Sequence, residues 1–300
     1  VGSIFSGDSN EKKDSSTQSL ISAVDQQKYP AWNNMSNESI MDKDGYYGLI
    51  RVFSRHYLKG NNNKGEQANV DFVVHGAGGL ISIGNRLYVV TAKHVIIPNT
   101  EIKKVKLSEK SDPIEFKNIS TIESQILIGG FGVQPKSVMV SENEDFCILL
   151  LSDQDRNIIL KSYNKDRYAP LSIINENPIE NPSGMTAEVW GFPAQHNPQV
   201  ERVLVSASAK KFFSLNKALL RGYSGGPVFI LNDETKQKEF AGIIIRADEK
   251  ANQSIVLPIT SFSHVLEAIK MSKKSSDIVY INEGNEKSLG AVKYRYINYI

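Results

Sequence analysis

The chain has a single cysteine, Cys147, in 300 residues, so it cannot close an internal disulfide and must hold its fold with a buried core. Long apolar runs are also missing. The longest, residues 146–151, falls far short of the roughly 20 residues that a membrane-crossing helix needs. Neither sign of charge dominates: 35 Lys and Arg stand against 33 Asp and Glu, a formal +2, which implies no nucleic acid or other polyanion as partner. The basic run Lys103-Lys104-Val105-Lys106 reads as a solvated strand or hairpin face. His56, His75, His196 and His264 show no His-x-x-x-His or Cys/His spacing, which argues against a metal site.

What is present is globular material. With 40% apolar and 23% charged residues the chain can bury a full core, as one large domain or two small ones. Residues 1–44 are rich in Ser, Asn, Asp, Lys and Gln and read as a polar extension, with one apolar patch, Leu20-Ile21-Ser22-Ala23-Val24, that suits a short helix. From Tyr46 the pattern turns to strands broken by loops, with a hairpin tip at residues 59–65 and an inter-domain linker over 154–184. Phe262, Val265, Leu266 and Ile269 recur at helical spacing. Residues 271–300 form a C-terminal extension in which Tyr294, Tyr296 and Tyr299 fall near strand spacing and suit packing. The sequence begins with Val rather than Met, so it is silent on a signal peptide. A disulfide-free chain is compatible with the cytoplasm or with a bacterial secreted or periplasmic setting.

Three stretches carry chemistry. Arg221-Gly222-Tyr223-Ser224-Gly225-Gly226-Pro227 sets one hydroxyl among glycines, which permit positive φ and let the N–H groups of Gly222 and Ser224 turn toward one substrate oxygen. A Gly-rich turn between strands would use the same residues for the same reason. A serine alcohol needs a base, and His94 stands at the end of the apolar run Leu87-Tyr88-Val89-Val90-Thr91. Asp145 opens a second apolar run, Phe146-Cys147-Ile148-Leu149-Leu150-Leu151, where a carboxylate can bond the imidazole and fix its tautomer. Asp153 and Asp155 compete for that role but follow the run instead of opening it. Cys147, inside the run, reads as core filling.

Thr91-Ala92-Lys93-His94, Asp145 with its aliphatic strand, and Gly222-Tyr223-Ser224-Gly225-Gly226-Pro227 together resemble the three blocks of the chymotrypsin-like serine proteases, in that family's His, Asp, Ser order. His75-Gly76-Ala77-Gly78-Gly79 resembles the strand before the histidine strand, and Val189-Trp190-Gly191-Phe192-Pro193 resembles the second-barrel opening of bacterial HtrA-type members. The resemblance implies an all-β fold of two six-stranded antiparallel barrels, at about 45–155 and 185–260, with a C-terminal helix, in a domain spanning 45–270. It implies a serine endopeptidase with His94, Asp145 and Ser224 as triad and Gly222 and Ser224 as oxyanion hole. Ala218, Leu219 and Arg221 would line the primary pocket, and Ile245, Arg246 and Ala247 would form the edge that pairs with an extended peptide. An apolar floor at Ala218 disfavours cleavage after Arg or Lys, while Arg221 and Arg246 favour acidic residues near the cut.

No cofactor and no metal is implied. The partner is a polypeptide substrate, and the oligomeric state stays open. Tyr223 departs from the digestive branch, where an aspartate at this position pairs with a freshly cut N-terminus. The 29 residues after Met271 are too few for the PDZ domain of HtrA-type members. A binding module on the same fold, without turnover, is the alternative.

Overall fold

A computed structural model describes residues 3–5, 48–61, 65, 67–83, 86–97, 103–105, 114–128, 135, 137–141, 143–162, 179–193, 198–209, 211–231, 238–271 and 294–298. The patch at residues 20–24, Ile269's side chain and Tyr299 lie outside this set.

The N-terminal half is built from strands whose sequences show why they pair. β1 (Ser3–Phe5), β2 (Leu49–Asn61), β3 (Gln67–Ile83), β4 (Arg86–Thr91), β5 (Lys103–Val105), β6 (Ile114–Ile128), β7 (Ser137–Ser141) and β8 (Cys147–Leu150) are all antiparallel to their neighbours. Residues 87–90 of β4 and all of β8 are uninterrupted apolar runs, and both strands are buried on both faces apart from Arg86. Six strands run side by side in the order β7-β8-β4-β3-β2-β6. The described ladders extend this half beyond six strands: β5 adds to β6, β1 adds to β3, and β15 (Tyr294–Asn298) adds to β7. Both flanking extensions therefore contribute a strand, and Tyr294 and Tyr296 lie in one of them.

The C-terminal half closes. β9 (Thr186–Gly191), β10 (Gln199–Ser208), β11 (Phe213–Leu215), β12 (Pro227–Leu231), β13 (Lys238–Asp248) and β14 (Gln253–Pro258) form a six-stranded barrel in the order β10-β11-β14-β13-β12-β9, with β9 bonded to both β12 and β10. Along β10 the side chains alternate, Val203 and Val205 inward against Arg202, Leu204 and Ser206 outward.

Helices are few. α1 (Lys93–Ile96) follows β4, and α3 (Ser263–Met271) follows a 3-10 turn at Ile259–Ser261. The stretch read as a linker from 154 starts instead inside α2 (Asp153–Ser162), because Ser152 Oγ accepts the Asp155 N–H at 3.1 Å and two acids sit in the first turn.

An aromatic layer joins the halves. Phe146 of the first packs on Phe262 before α3 at 5.5 Å between ring centres, and the same cluster takes in Trp190, Phe229, Phe240, Val265 and Leu266. Helical spacing in α3 thus serves the seam between the halves, which is where the candidate residues gather.

Candidate active site

β4 delivers the histidine. It ends at Thr91, and α1 then turns His94 outward while Val95 and Ile96 anchor the turn in the core. Ser54 Oγ bonds the Val95 carbonyl from below. Asp145 lies in the bend before β8, the strand bonded to β4, so the two loops emerge at one sheet end. The carboxylate holds the histidine twice: Oδ1 accepts the His94 backbone N–H at 3.0 Å and Oδ2 meets Nδ1 at 2.8 Å. With the proton on Nδ1, the other nitrogen, Nε2, is left as the base. Asp153 and Asp155 sit in α2, at the far end of β8 from Asp145.

The serine comes from the other half. Gly222 adopts φ +105° and Gly225 φ +78°, values that L side chains rarely take, so the turn needs glycine at both. A Cβ on Gly225 would fall 2.1 Å from Thr91 Oγ1 and 2.8 Å from the Ala92 nitrogen, which brings the serine's neighbour against the residues just before His94. The half-buried Ser224 is held by its main chain. Its carbonyl accepts the Ala77 N–H at 2.8 Å, and the next N–H, of Gly225, donates to Ile244 at 2.7 Å. The backbone N–H groups of Gly222 and Ser224 have no protein acceptor among the described residues. Two donors on a loop beside a hydroxyl can serve one oxyanion.

β13 has one open edge among the described strands. Its ladder with β12 ends at Ile243, whereas its ladder with β14 runs on to Asp248. Ile245, Arg246 and Ala247 therefore keep one edge unpaired among the described strands, and the register shifts at Ile245, whose side chain packs on the seam. Arg246 and Ala247 are exposed.

The residues assigned to the pocket separate. Ala218 is half-buried, its N–H bonded to Asn252 Oδ1 at 3.1 Å. Leu219 turns inward: it is 5% exposed and belongs to the barrel core with Tyr223 and Val228, while its N–H donates to Ser254 Oγ at 2.9 Å. Barrel closure fixes that direction, so the Leu219 side chain fills the barrel core. Arg221 is exposed beside Leu220, which is 68% exposed. Tyr223 is buried, its ring so close that a Cβ on Gly191 would fall 2.5 Å from it.

Residues around these three help to build the site. Lys93 Nζ donates to the Ser141 carbonyl at 2.9 Å, and Ser141 Oγ accepts the Glu144 N–H at 3.0 Å, so the histidine turn is tied to the acid's bend. Thr91 Oγ1 donates to Ala77 at 2.7 Å. His75 and Arg51 sit on the β2–β3 ladder close to the serine loop. Burial, and after it the charges of Arg51 and Arg221, push His75 down to about 4, and burial lowers Arg51 to about 10. Thr91 and Lys93 lie in the histidine block and His75 heads the glycine strand, whereas Arg51 and Ser141 carried no sequence signal of a site. Cys147 is fully buried and its thiol is pushed well up, chiefly by desolvation, so it is inert filling. Among the described residues no cluster of His, Cys, Asp or Glu is placed to hold a metal ion, and no helix is long and apolar enough to cross a membrane.

No family model and no curated protein matches the chain. Among solved structures, a serine endoprotease from Yersinia pestis shares 16% identity over 80% of this chain and 68% of its own, with a TM-score of 0.42. The active form of the Rv3671c protease from M. tuberculosis shares 15% over 78% of this chain and 84% of its own, at 0.45. A thermostable serine protease, AL20, from an extremophilic microorganism shares 12% over 71% of this chain and 91% of its own, at 0.42. What this site can do follows from its own residues.

Proposed function

We propose that the protein is a serine endopeptidase. The observation that carries the reading is the doubly bonded His94–Asp145 pair, with Gly225 packed on the turn that leads into it. In this mechanism Ser224 Oγ attacks the scissile carbonyl and its proton passes to His94 Nε2. Asp145 stabilises the imidazolium that results. The N–H groups of Gly222 and Ser224 hold the oxyanion, and His94 returns the proton to the leaving amine, which departs. A water, deprotonated by the same imidazole, then releases the acyl group from Ser224. The acyl side of the substrate pairs with the open edge of Ile245, Arg246 and Ala247, and its P1 side chain enters beside Ala218 with Arg221 at the rim.

The test is covalent labelling of Ser224 by a fluorophosphonate, located by mass spectrometry, together with hydrolysis of unfolded casein. Labelling at Ser224 with casein cleavage, both lost on adding excess unlabelled inhibitor, is the expected result. A folded chain that neither labels nor cleaves would instead be a binding module on this fold.

A further inference from the structure

The β2–β3 register sets Phe53 opposite His75 and Arg51 opposite Ala77, so Arg51, Phe53 and His75 share one face of the ladder. Arg51 is 1% exposed, with its guanidinium 4.6 Å from the centre of the Phe192 ring and 5.7 Å from that of Phe53. Phe192 in turn donates its N–H to the Gly222 carbonyl at 3.0 Å, which puts Arg221, the preceding residue, beside the same group. Both guanidiniums act on His75, and no carboxylate does. Arg221 makes no ion pair among the described residues. His75 Nε2 is shielded from solvent without a partner, whereas Nδ1 is not so shielded. A ring with no acceptor on its buried side and two cations nearby places its lone pair inward and its N–H outward.

The side of the cut is set by the main chain around Ser224. On one flank Gly225 bonds β13, whose open edge takes the acyl half of a substrate; on the other, Ser224 bonds Ala77 on β3, the strand of His75. Resting on the endopeptidase reading, we propose that Arg221 and His75, backed by the buried charge of Arg51, form a carboxylate-binding subsite on the leaving-group side of Ser224. Arg221 supplies the charged fork and His75 a neutral N–H donor. The carboxylate belongs either to an Asp or Glu side chain just after the cut or to a free C-terminus at that distance.

Two sets of peptides built on one cleavable sequence separate these sources. The first set carries Glu or Gln at the first or second position after the cut, with amidated ends. The second keeps Gln throughout and ends two residues after the cut in a free carboxylate or an amide. The expected kcat/KM ratio of carboxylate to neutral match is about tenfold in one set and falls as salt rises from about 0.05 to about 0.5 M. The ratio should drop toward one in Arg221→Gln, stay partly intact in Arg221→Lys, and shrink in His75→Phe. A wild-type ratio of one in both sets overturns the subsite while leaving the endopeptidase intact. If no peptide is cut, fluorescence anisotropy of the same pairs on the Ser224→Ala protein decides: tighter binding of the carboxylate member supports the subsite, and equal binding overturns it.

Discussion

Ala77 and Ser224 are joined through main chain, the Ala77 N–H donating to the Ser224 carbonyl at 2.8 Å. Ala77 belongs to β3 and also accepts from Thr91 Oγ1, two residues before Lys93 at the start of α1. One residue of the first sheet thus fixes both the serine loop of the barrel and the end of the strand that presents His94. The spacing between Ser224 and His94 is therefore set by the backbone, independent of their side chains.

Substitutions in the triad should therefore remove chemistry and spare the fold. Ser224→Ala and His94→Ala are each expected to cut casein hydrolysis by about 1,000-fold or more, with unchanged thermal unfolding. Asp145→Asn, which loses the charge but can keep the shape, should cost about as much, because the imidazole is held in the wrong tautomer. A Ser224→Ala protein that keeps more than about a thousandth of the rate would move the nucleophile elsewhere.

Lys93 should matter for turnover although it touches no substrate. Its ammonium bonds the carbonyl of buried Ser141, whose hydroxyl and N–H organise the bend holding Asp145. Lys93→Met is expected to lower kcat by about tenfold and leave KM near its original value, with part of the loss restored in Lys93→Arg. A rise in KM at constant kcat would show that Lys93 binds substrate instead of positioning the acid.

The parts of the site legible in the sequence are the local ones. His94 follows an apolar strand, Asp145 precedes one, and Ser224 sits between glycines; each cue spans fewer than about ten residues and needs no partner to be read. The meeting of Arg51, His75 and Arg221 is not local. It arises from the β2–β3 register and from Phe192 crossing the seam, neither of which a run of residues displays. Leu219 has the same character, since its inward turn depends on the barrel closing around it. β15 was foreshadowed by the strand spacing of Tyr294 and Tyr296, whereas β1 was hidden in a polar extension because a three-residue edge strand leaves too short a pattern to read.

Stability should decline as pH falls from about 6.5 toward about 4, through His75. The imidazole titrates at 6.5 when unfolded but is held at about 4 in the fold, mainly by burial. In that window the unfolded chain binds more protons, so stability present above 6.5 is lost on acidification. His264, also lowered by burial, adds to the slope with the same sign. Thermal midpoints across pH should show a shallower decline in His75→Phe than in wild type; parallel curves would mean that His75 is solvated.

Residues 1–44 should not act as a switch. β1 pairs with Asn69–Asp71 of β3, six residues from Ala77 at the serine loop, or about 20 Å along an extended strand. Tyr223, buried against Gly191, also offers no carboxylate to an incoming amine. Proteins carrying an N-terminal tag, or lacking residues 1–44, are expected to label with fluorophosphonate as fast as the intact chain. Silencing by the tag and recovery on cutting it away would contradict this.

Cleavage should follow apolar residues. Ala218, half-buried beside the serine loop, has its N–H fixed by Asn252 Oδ1, and Asn252 itself adopts φ 49°, a left-handed value that Asn accepts more readily than most residues. Neither Ala218 nor Leu219 brings a carboxylate, so a buried Lys or Arg at P1 would enter without the partner its charge requires. An aliphatic side chain gains instead about 0.8 kcal/mol for each methylene it buries, near a fourfold preference per group until the space is filled. A peptide-library profile should therefore show Val, Leu, Ala or Phe at P1. Ala218→Asp, by adding the missing charge, should raise cleavage after Lys and Arg relative to the apolar set. If wild type already cuts chiefly after Arg or Lys, the residue at the pocket floor is not Ala218, because the needed charge must then come from another element.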